Sequence, residues 1–289
     1  MSPSIAAANE KSNSYTLPSH LDGDGRRLNE QHAIFRQLFA SKLLATDLPE
    51  DFSGTVLDIG TGTGIWAAEF ASTYPASTVL GIDLFAPSIA PVPTNCQFRV
   101  VDVEDDAGWD INIPDGTYDL IHTRLMVFAL RDPRKFVKKC RRVLKVGGFV
   151  EFQEKEDPYR TDDPSPAAQD TPLMRNSRLR MEAAVKCGLH HNVAGQVPGW
   201  MRELGFKGVQ VAEYKIPIGT WMEDEEMKVI GARFEECTRW GVLGYSKSVF
   251  MKGLGWTEQQ VLDNVEEAVQ DIGNGKVYMK ILVIVGRKI

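Results

Sequence analysis

The chain has 289 residues, 43% of them hydrophobic and 25% charged, with a formal net charge of -6. That length supports one large α/β domain with additions. The acidic balance argues against a general nucleic-acid binder, which needs an excess of Lys and Arg against phosphate, so a small molecule is the expected partner. Four Cys (Cys96, Cys140, Cys187 and Cys237) lie far apart with no CxxC pair, as reduced structural thiols do. In chain order, residues 1–14 are rich in Ser, Ala and Asn and too poor in large apolar side chains to order alone. No basic segment leads into an apolar one there, and the longest aliphatic run near the other end is the five residues 281–285. Neither a signal peptide nor a membrane-spanning helix is expected, and cytoplasm or nucleus is the expected address.

An N-terminal helical segment is predicted within residues 15–49, because Leu28, Ile34, Phe35, Leu38, Phe39, Leu43 and Leu44 fall on one face of a helix over 26–45. Strands and helices then alternate. Five apolar strands, at 54–60, 78–84, 97–103, 118–124 and 147–154, predict a parallel sheet covered on both faces. The fourth connecting helix is punctuated by Asp132 as cap, Pro133 in its first turn and Gly147–Gly148 as its stop. Its seven cations over 134–145 alternate with Phe136, Val137, Cys140, Val143 and Leu144, the pattern of a packed helix with a solvated outer face.

After Glu154 the rhythm breaks into a polar loop with four prolines, ending in the cap pair Thr171–Pro172 of a helix to Cys187. Helical cap segments are expected over 155–206 and 220–275, with two further strands at 207–219 and 276–289. Within the second cap segment, Thr257 and Gln260 form a capping box and Trp256 staples onto Val261.

The stretch "VLDIGTGTGIW" (56–66) ends a buried strand in Gly60, Gly62 and Gly64. A nicotinamide fingerprint needs a glycine where Ile65 stands, and a Walker loop needs Gly-Lys-Ser or Gly-Lys-Thr, which is missing. Asp58, two residues before Gly60, repels a pyrophosphate but attracts an ammonium or a sulfonium. Asp83 closes the second strand nineteen residues after Gly64, where a carboxylate accepts ribose hydroxyls. Asp102 near the end of the third strand is placed to accept from an adenine amino group, with Val103 offering its backbone N–H. Any one of these acids alone reads as a turn former or helix cap; the three in series, on alternating strands, read as a binding edge.

"LDIGTGTG", "GIDL", "VVDVED" and "GGFVEF" together resemble the motif series of class I S-adenosylmethionine-dependent methyltransferases over residues 54–154. The resemblance implies a Rossmann-like α/β sheet of seven strands with the last one antiparallel, here with an N-terminal helix and helical cap insertions, in a methyltransferase domain over 50–289. "YTLP", "RRLNEQH" and "YDLIHTRLM" further resemble the fungal secondary-metabolism methyltransferases related to the LaeA regulator. The cofactor implied is S-adenosylmethionine, with S-adenosylhomocysteine as product. Its expected contacts are Asp58, Gly60, Thr61, Gly62, Gly64, Asp83, Leu84, Asp102, Val103, Thr123 and Arg124, with Gln31 on the methionine carboxylate.

Methyl transfer is an in-line displacement, so positioning alone supplies ~7–11 kcal/mol, and a base matters most for an acceptor that must lose a proton. His122, just past the fourth strand, and His32, in the entry helix, are the candidate catalytic bases, each with a structural role as the competing reading. His190 and His191 lie in a cap loop without companion ligands, so no metal is expected. Tyr15, Met126, Met174, His190 and Trp221 are candidate acceptor contacts. The expected function is O-methylation of a small natural product. The alternatives are a cyclase or pericyclase that keeps its methyl group and a regulatory protein of the LaeA kind. No nucleic-acid or membrane partner is expected, and the oligomeric state is open between monomer and homodimer.

Overall fold

The computed structural model describes residues 24–190 and 192–289. Helix α1 (Asp24–Leu38) precedes a run of β1 (Thr55–Ile59), α2 (Ile65–Thr73), β2 (Thr78–Asp83), β3 (Cys96–Val100), α3 (Asp106–Asn112), β4 (Tyr118–Arg124), α4 (Pro133–Val143) and β5 (Leu144–Thr161). Then come α5 (Pro166–Gln169), α6 (Pro172–Lys186), α7 (Val197–Glu203), β6 (Phe206–Pro217), α8 (Glu225–Val249), α9 (Glu258–Asp271) and β7 (Val277–Lys288). Seven strands form one sheet in the order β3-β2-β1-β4-β5-β7-β6. The first five are parallel, and β7 runs antiparallel between β5 and β6. The strand order reverses between β1 and β4, and at such a reversal two loops part at the carboxyl edge and leave a crevice.

The burial of the strands follows from their composition. Val56, Leu57 and Ile59 in β1 and Leu120 and Ile121 in β4 are fully buried, as strands covered on both faces require. The punctuation of α4 is as the residues foretell. Asp132 accepts from Lys135 N, Pro133 opens the first turn, and Phe136, Val137, Cys140 and Val143 turn inward while Lys135 and Arg142 pair with Asp106 and Asp110. All four Cys are free.

Four expectations need correction. Helix α1 stops at Leu38 rather than Ala45, because Ala40 and Ser41 adopt φ of 50° and 65° and turn the chain. Leu43 and Leu44 are buried all the same, from an irregular segment. Strand β3 ends at Val100, leaving Asp102 and Val103 in the following turn. The polar stretch read as a loop from Lys155 continues β5 to Thr161, because β7 offers a long antiparallel partner that pairs Lys155 with Ile281 and Thr161 with Val277. Strand β6 likewise starts earlier, at Phe206.

The cap is a single apolar layer on the β5–β7–β6 part of the sheet. Phe35 from α1, Leu173 from α6, Phe234 from α8 and Val261 from α9 join Ile281 of β7 in one buried cluster. Its helices begin at side-chain caps, Thr171 to Met174 N, Asp224 to Met227 N and the Thr257–Gln260 box, each contributing about 1 kcal/mol. Fully buried Asn176 of α6 donates to Asn264 of α9 at 2.7 Å and to Ser246 of α8 at 3.2 Å, fixing the three helices relative to one another. No helix of the described residues is long and apolar enough to cross a membrane.

Candidate active site

The crevice at the carboxyl edge is walled by the β1 glycine turn, the ends of β2 and β4, and α1. Gly60 takes φ +73°, and a Cβ there would lie 2.7 Å from the Met126 side chain, so only glycine leaves both the turn and the wall intact. Gly64 serves packing instead. It sits at φ +86° at the start of α2, and a Cβ would meet the Phe98 ring at 2.7 Å.

Asp58 is 2% exposed and both of its oxygens are committed. Oδ2 accepts from Thr61 Oγ1 at 2.6 Å, and Oδ1 accepts from His122 Nδ1 at 2.7 Å. The pair follows from the ladder, which sets Asp58 directly opposite His122. The imidazole is stacked on the Trp66 indole, centroids 3.8 Å apart and planes 5° from parallel. Its Nε2 is buried and finds no hydrogen-bond partner among the described residues. Thr123, the next residue, is fully buried with its hydroxyl unpartnered as well.

Asp83 shapes the loop that it faces, accepting from Gly62 N at 2.9 Å and Phe85 N at 3.2 Å. Beyond it the crevice opens into a second lobe lined by Asp83, Leu84, Asp102 and Val103. Gly60 and Met126 line both lobes. Lys139 of α4 braces this turn, donating to Val103 O at 2.7 Å and pairing with Asp106 at 2.8 Å.

On the opposite side, α1 brings Gln31 and His32 to the cavity. His32 lies 2.5 Å from Glu69 through Nε2 and 3.3 Å from Arg124 Nη1 through Nδ1. Burial and then the Arg124 charge pull its pKa down to about 4, against the opposing pull of Glu69. A neutral ring that donates from Nε2 and accepts at Nδ1 satisfies both neighbours and leaves no lone pair for an acceptor's proton. Burial likewise lowers Arg124, to about 10. Its Nε donates to Gln153 at 2.7 Å, Gln153 donates to Glu151 at 2.7 Å, and Glu151 accepts from Ala45 N and Thr46 N at 3.0 Å each. This relay, across facing positions of β4 and β5, ties the segment after α1 to the sheet.

The loop after β4 forms the remaining wall. Leu125 is held at φ 53°, unusual for a branched residue, and the carboxylate of fully buried Glu154 accepts from Met126 N at 2.9 Å and Val127 N at 3.3 Å. Burial pushes Glu154 up to about 8, against the pull of those two donors. Past Leu125 and Phe128 lies a further chamber under the cap, lined by Lys155, Tyr159, Arg180, Phe234 and Tyr245 among others.

Of the expected site residues, Asp58, Gly60, Thr61, Gly62, Asp83, His122, Arg124, Gln31, His32 and Met126 line the first lobe, and Leu84, Asp102 and Val103 the second. Three expected acceptor contacts are placed elsewhere. Met174 is 3% exposed within the cap core, His190 is exposed on the surface, and Trp221 donates its indole N–H to Val277 O at 3.1 Å. Tyr15 and His191 lie outside the described residues. Glu154 and Arg180 lie outside the quoted motifs, and Trp66 and Glu151 lie inside "VLDIGTGTGIW" and "GGFVEF" without being singled out there; the available signal was that Glu151 and Glu154 are acids inside a strand otherwise apolar.

The donor set fits S-adenosylmethionine. Carboxylates at the ends of β1 and β2 and in the turn after β3 suit its cations, diol and adenine amine, the glycine turn permits close approach of a ligand to backbone, and Gln31 and Arg124 supply donors at the far end. Residues 31–211 match the model of a methyltransferase domain family. Methyltransferase pytC of Aspergillus terreus is 31% identical over 81% of this chain and 71% of its own. The secondary metabolism regulator laeA of Aspergillus fumigatus is 25% identical over 85% of this chain and 65% of its own. Among solved structures, the [4+2]-cyclase SpnF superposes with a TM-score of 0.52 at 16% identity, over 89% of this chain and 81% of the other, which is a likeness of fold. The acid-edged glycine cavity and these likenesses converge: the chain belongs to the methyltransferase domain family and is an S-adenosylmethionine-dependent methyltransferase.

Proposed function

We propose that the chain O-methylates a small, partly apolar natural product that lies beyond Leu125 and Phe128, with one lobe of the crevice holding adenosine and the other the methionine part. The observation that carries this reading is the continuity of the acid-edged cavity with the aromatic chamber, which share Arg27, Gln31, Leu125, Phe128 and Tyr245. When bound, S-adenosylmethionine supplies an electrophilic methyl group on a sulfonium. The chain's own work is to hold, orient and exclude water. Asp58, fixed by Thr61 and His122, presents a stationary negative charge, and Asp83 both orders the glycine turn and faces the ribose position. Glu154 fixes the Met126–Val127 backbone and so the wall between cofactor and acceptor.

Positioning of this kind supplies ~7–11 kcal/mol, whereas a general base adds a factor of ~10²–10⁴. With both His32 nitrogens committed, His122 Nε2 is the ring nitrogen left to take a proton, and only from an acceptor that arrives un-ionised. The enzyme works in the cytoplasm or nucleus, as monomer or homodimer.

The test compares metabolites of a strain lacking the gene with its parent, then offers the compound that gains abundance to the full chain with S-adenosylmethionine. The reading expects a product heavier by one CH2 and one S-adenosylhomocysteine per turnover. A rearranged product of unchanged mass, without S-adenosylhomocysteine, overturns it in favour of a cyclase. Deletion without loss of any methylated compound, with recovery of a heteromeric complex, overturns it in favour of a regulator.

A further inference from the structure

The crevice sets Asp58 and Asp83 against Arg27 and Arg124, whereas the chamber under the cap carries cations alone among its charged walls. Arg27, Lys155 and Arg180 line it, and no carboxylate is among its lining residues. Lys155 sits 4.3 Å over the Phe128 ring and pairs with Asp157 at 2.6 Å. Arg27 is 5% exposed, its guanidinium 5.5 Å over the Tyr245 ring. Arg180 lies 5.1 Å over the Tyr159 ring, and its Nε and Nη2 are buried without any hydrogen-bond partner among the described residues. The Tyr159 side chain and the Asp157 charge act on this guanidinium, yet two of its N–H groups are removed from water with their hydrogen bonds unmade, which is costly. The rest of the chamber is flat and apolar, with Phe128, Tyr159, Phe234 and Tyr245 among its walls.

From this we infer that the acceptor is a small organic anion on a flat unsaturated body, with a carboxylate or ionised hydroxyl held by Arg180. The inference rests on the methyl-transfer reading for its purpose, but its geometry stands apart from it. A guanidinium fork matches a carboxylate through two parallel N–H donors, and aromatic walls favour an aryl or conjugated skeleton. Arg180 lines the chamber and not the crevice, whereas Leu125, Phe128 and Tyr245 line both. The anion is therefore an anchor at the far end, and it orients the rest of the molecule toward the shared mouth.

The experiment titrates the full chain, saturated with S-adenosylhomocysteine, with four aryl acids (benzoate, cinnamate, 2-naphthoate and indole-3-acetate) and their uncharged primary amides. At least one acid is expected to bind tenfold or more tighter than its amide. Arg180→Met is expected to remove that preference while leaving affinity for S-adenosylhomocysteine within twofold, and Arg180→Lys to restore part of it. Unaltered melting of the Met variant shows that the fold is kept; should it melt early, the Lys variant and the acid-to-amide ratio of the unmodified chain carry the decision. No acid binding better than its amide, or an acid preference that survives in Arg180→Met, overturns the inference. Failure of S-adenosylhomocysteine to bind at all would instead strike the methyl-transfer reading, so the two failures are distinguishable.

Discussion

The crevice and the chamber share a wall yet are built in opposite ways. The crevice gathers Asp58, Asp83 and Asp102 at the ends of adjacent strands, each within two residues of a turn, and suits a cationic nucleoside. The chamber gathers Arg27, Lys155 and Arg180 from α1, β5 and α6, far apart in the chain, and suits an anion on an aromatic frame. Short motifs can write the first because the parallel sheet delivers its strand ends to one edge whatever the cap does. The second exists only once α1, α6 and α8 have packed on the sheet, so no local spacing announces it. On the proposed reading the two ligands are held by opposite charges, the acids of the crevice for one and Arg180 for the other.

Gly60→Ala is the most damaging single change expected in the crevice. An Ala at φ +73° costs about 1–2 kcal/mol in backbone strain, and its Cβ presses on Met126 besides. Affinity for S-adenosylmethionine should fall by 10- to 100-fold in a calorimetric titration, and unchanged affinity would show that the glycine turn is not the cofactor's cradle. Asp83→Asn comes next. It removes a charge-assisted hydrogen bond worth about 1.5–3 kcal/mol, so a loss of roughly tenfold or more is expected, with aryl-acid binding untouched.

Glu154 lies on the boundary and gives a pH signature. The folded chain keeps a proton on it up to about pH 8, whereas an unfolded Glu releases its proton near 4.5. Between those values the folded state binds more protons, so Glu154 makes stability fall as pH rises through the window. Melting temperatures of Glu154→Gln across pH 5–8 should lack that decline. His32 acts in the opposite sense at lower pH. Its folded pKa of about 4 lies below 6.5, so its contribution is present above pH 6.5 and is lost as pH falls toward 4. The smallest effect is a control in the cap. Thr257→Ala removes a helix cap and should cost about 1 kcal/mol of stability, leaving cofactor affinity as it was.

The legible parts of the molecule were those whose cause is local. The glycine turn and the caps at Asp132, Thr171 and Thr257 follow from spacing and cap chemistry, whereas the seven-stranded sheet with its antiparallel last strand was implied by the resemblance to the methyltransferase family. Residues 155–161 read as a loop because they are polar and carry Pro158, yet β7 is long enough to recruit them. Met174 and Trp221 looked like pocket residues because apolar side chains at helical spacing look alike whether they line a cavity or fill a core; the packing of α6 and β7 decides. His32 looked available as a base, and only the meeting of α1 with Glu69 and Arg124 occupies both its nitrogens.

The most direct test of opposed charges is a paired titration of Asp58→Asn and Arg180→Met, each with S-adenosylmethionine and, at saturating S-adenosylhomocysteine, with the best-binding aryl acid. The account predicts a crossed pattern, in which Asp58→Asn weakens the sulfonium nucleoside by about tenfold, on the scale of 1.4 kcal/mol, and Arg180→Met weakens only the acid. Equal losses for both ligands in either variant, or no loss of S-adenosylmethionine binding in Asp58→Asn, would contradict it.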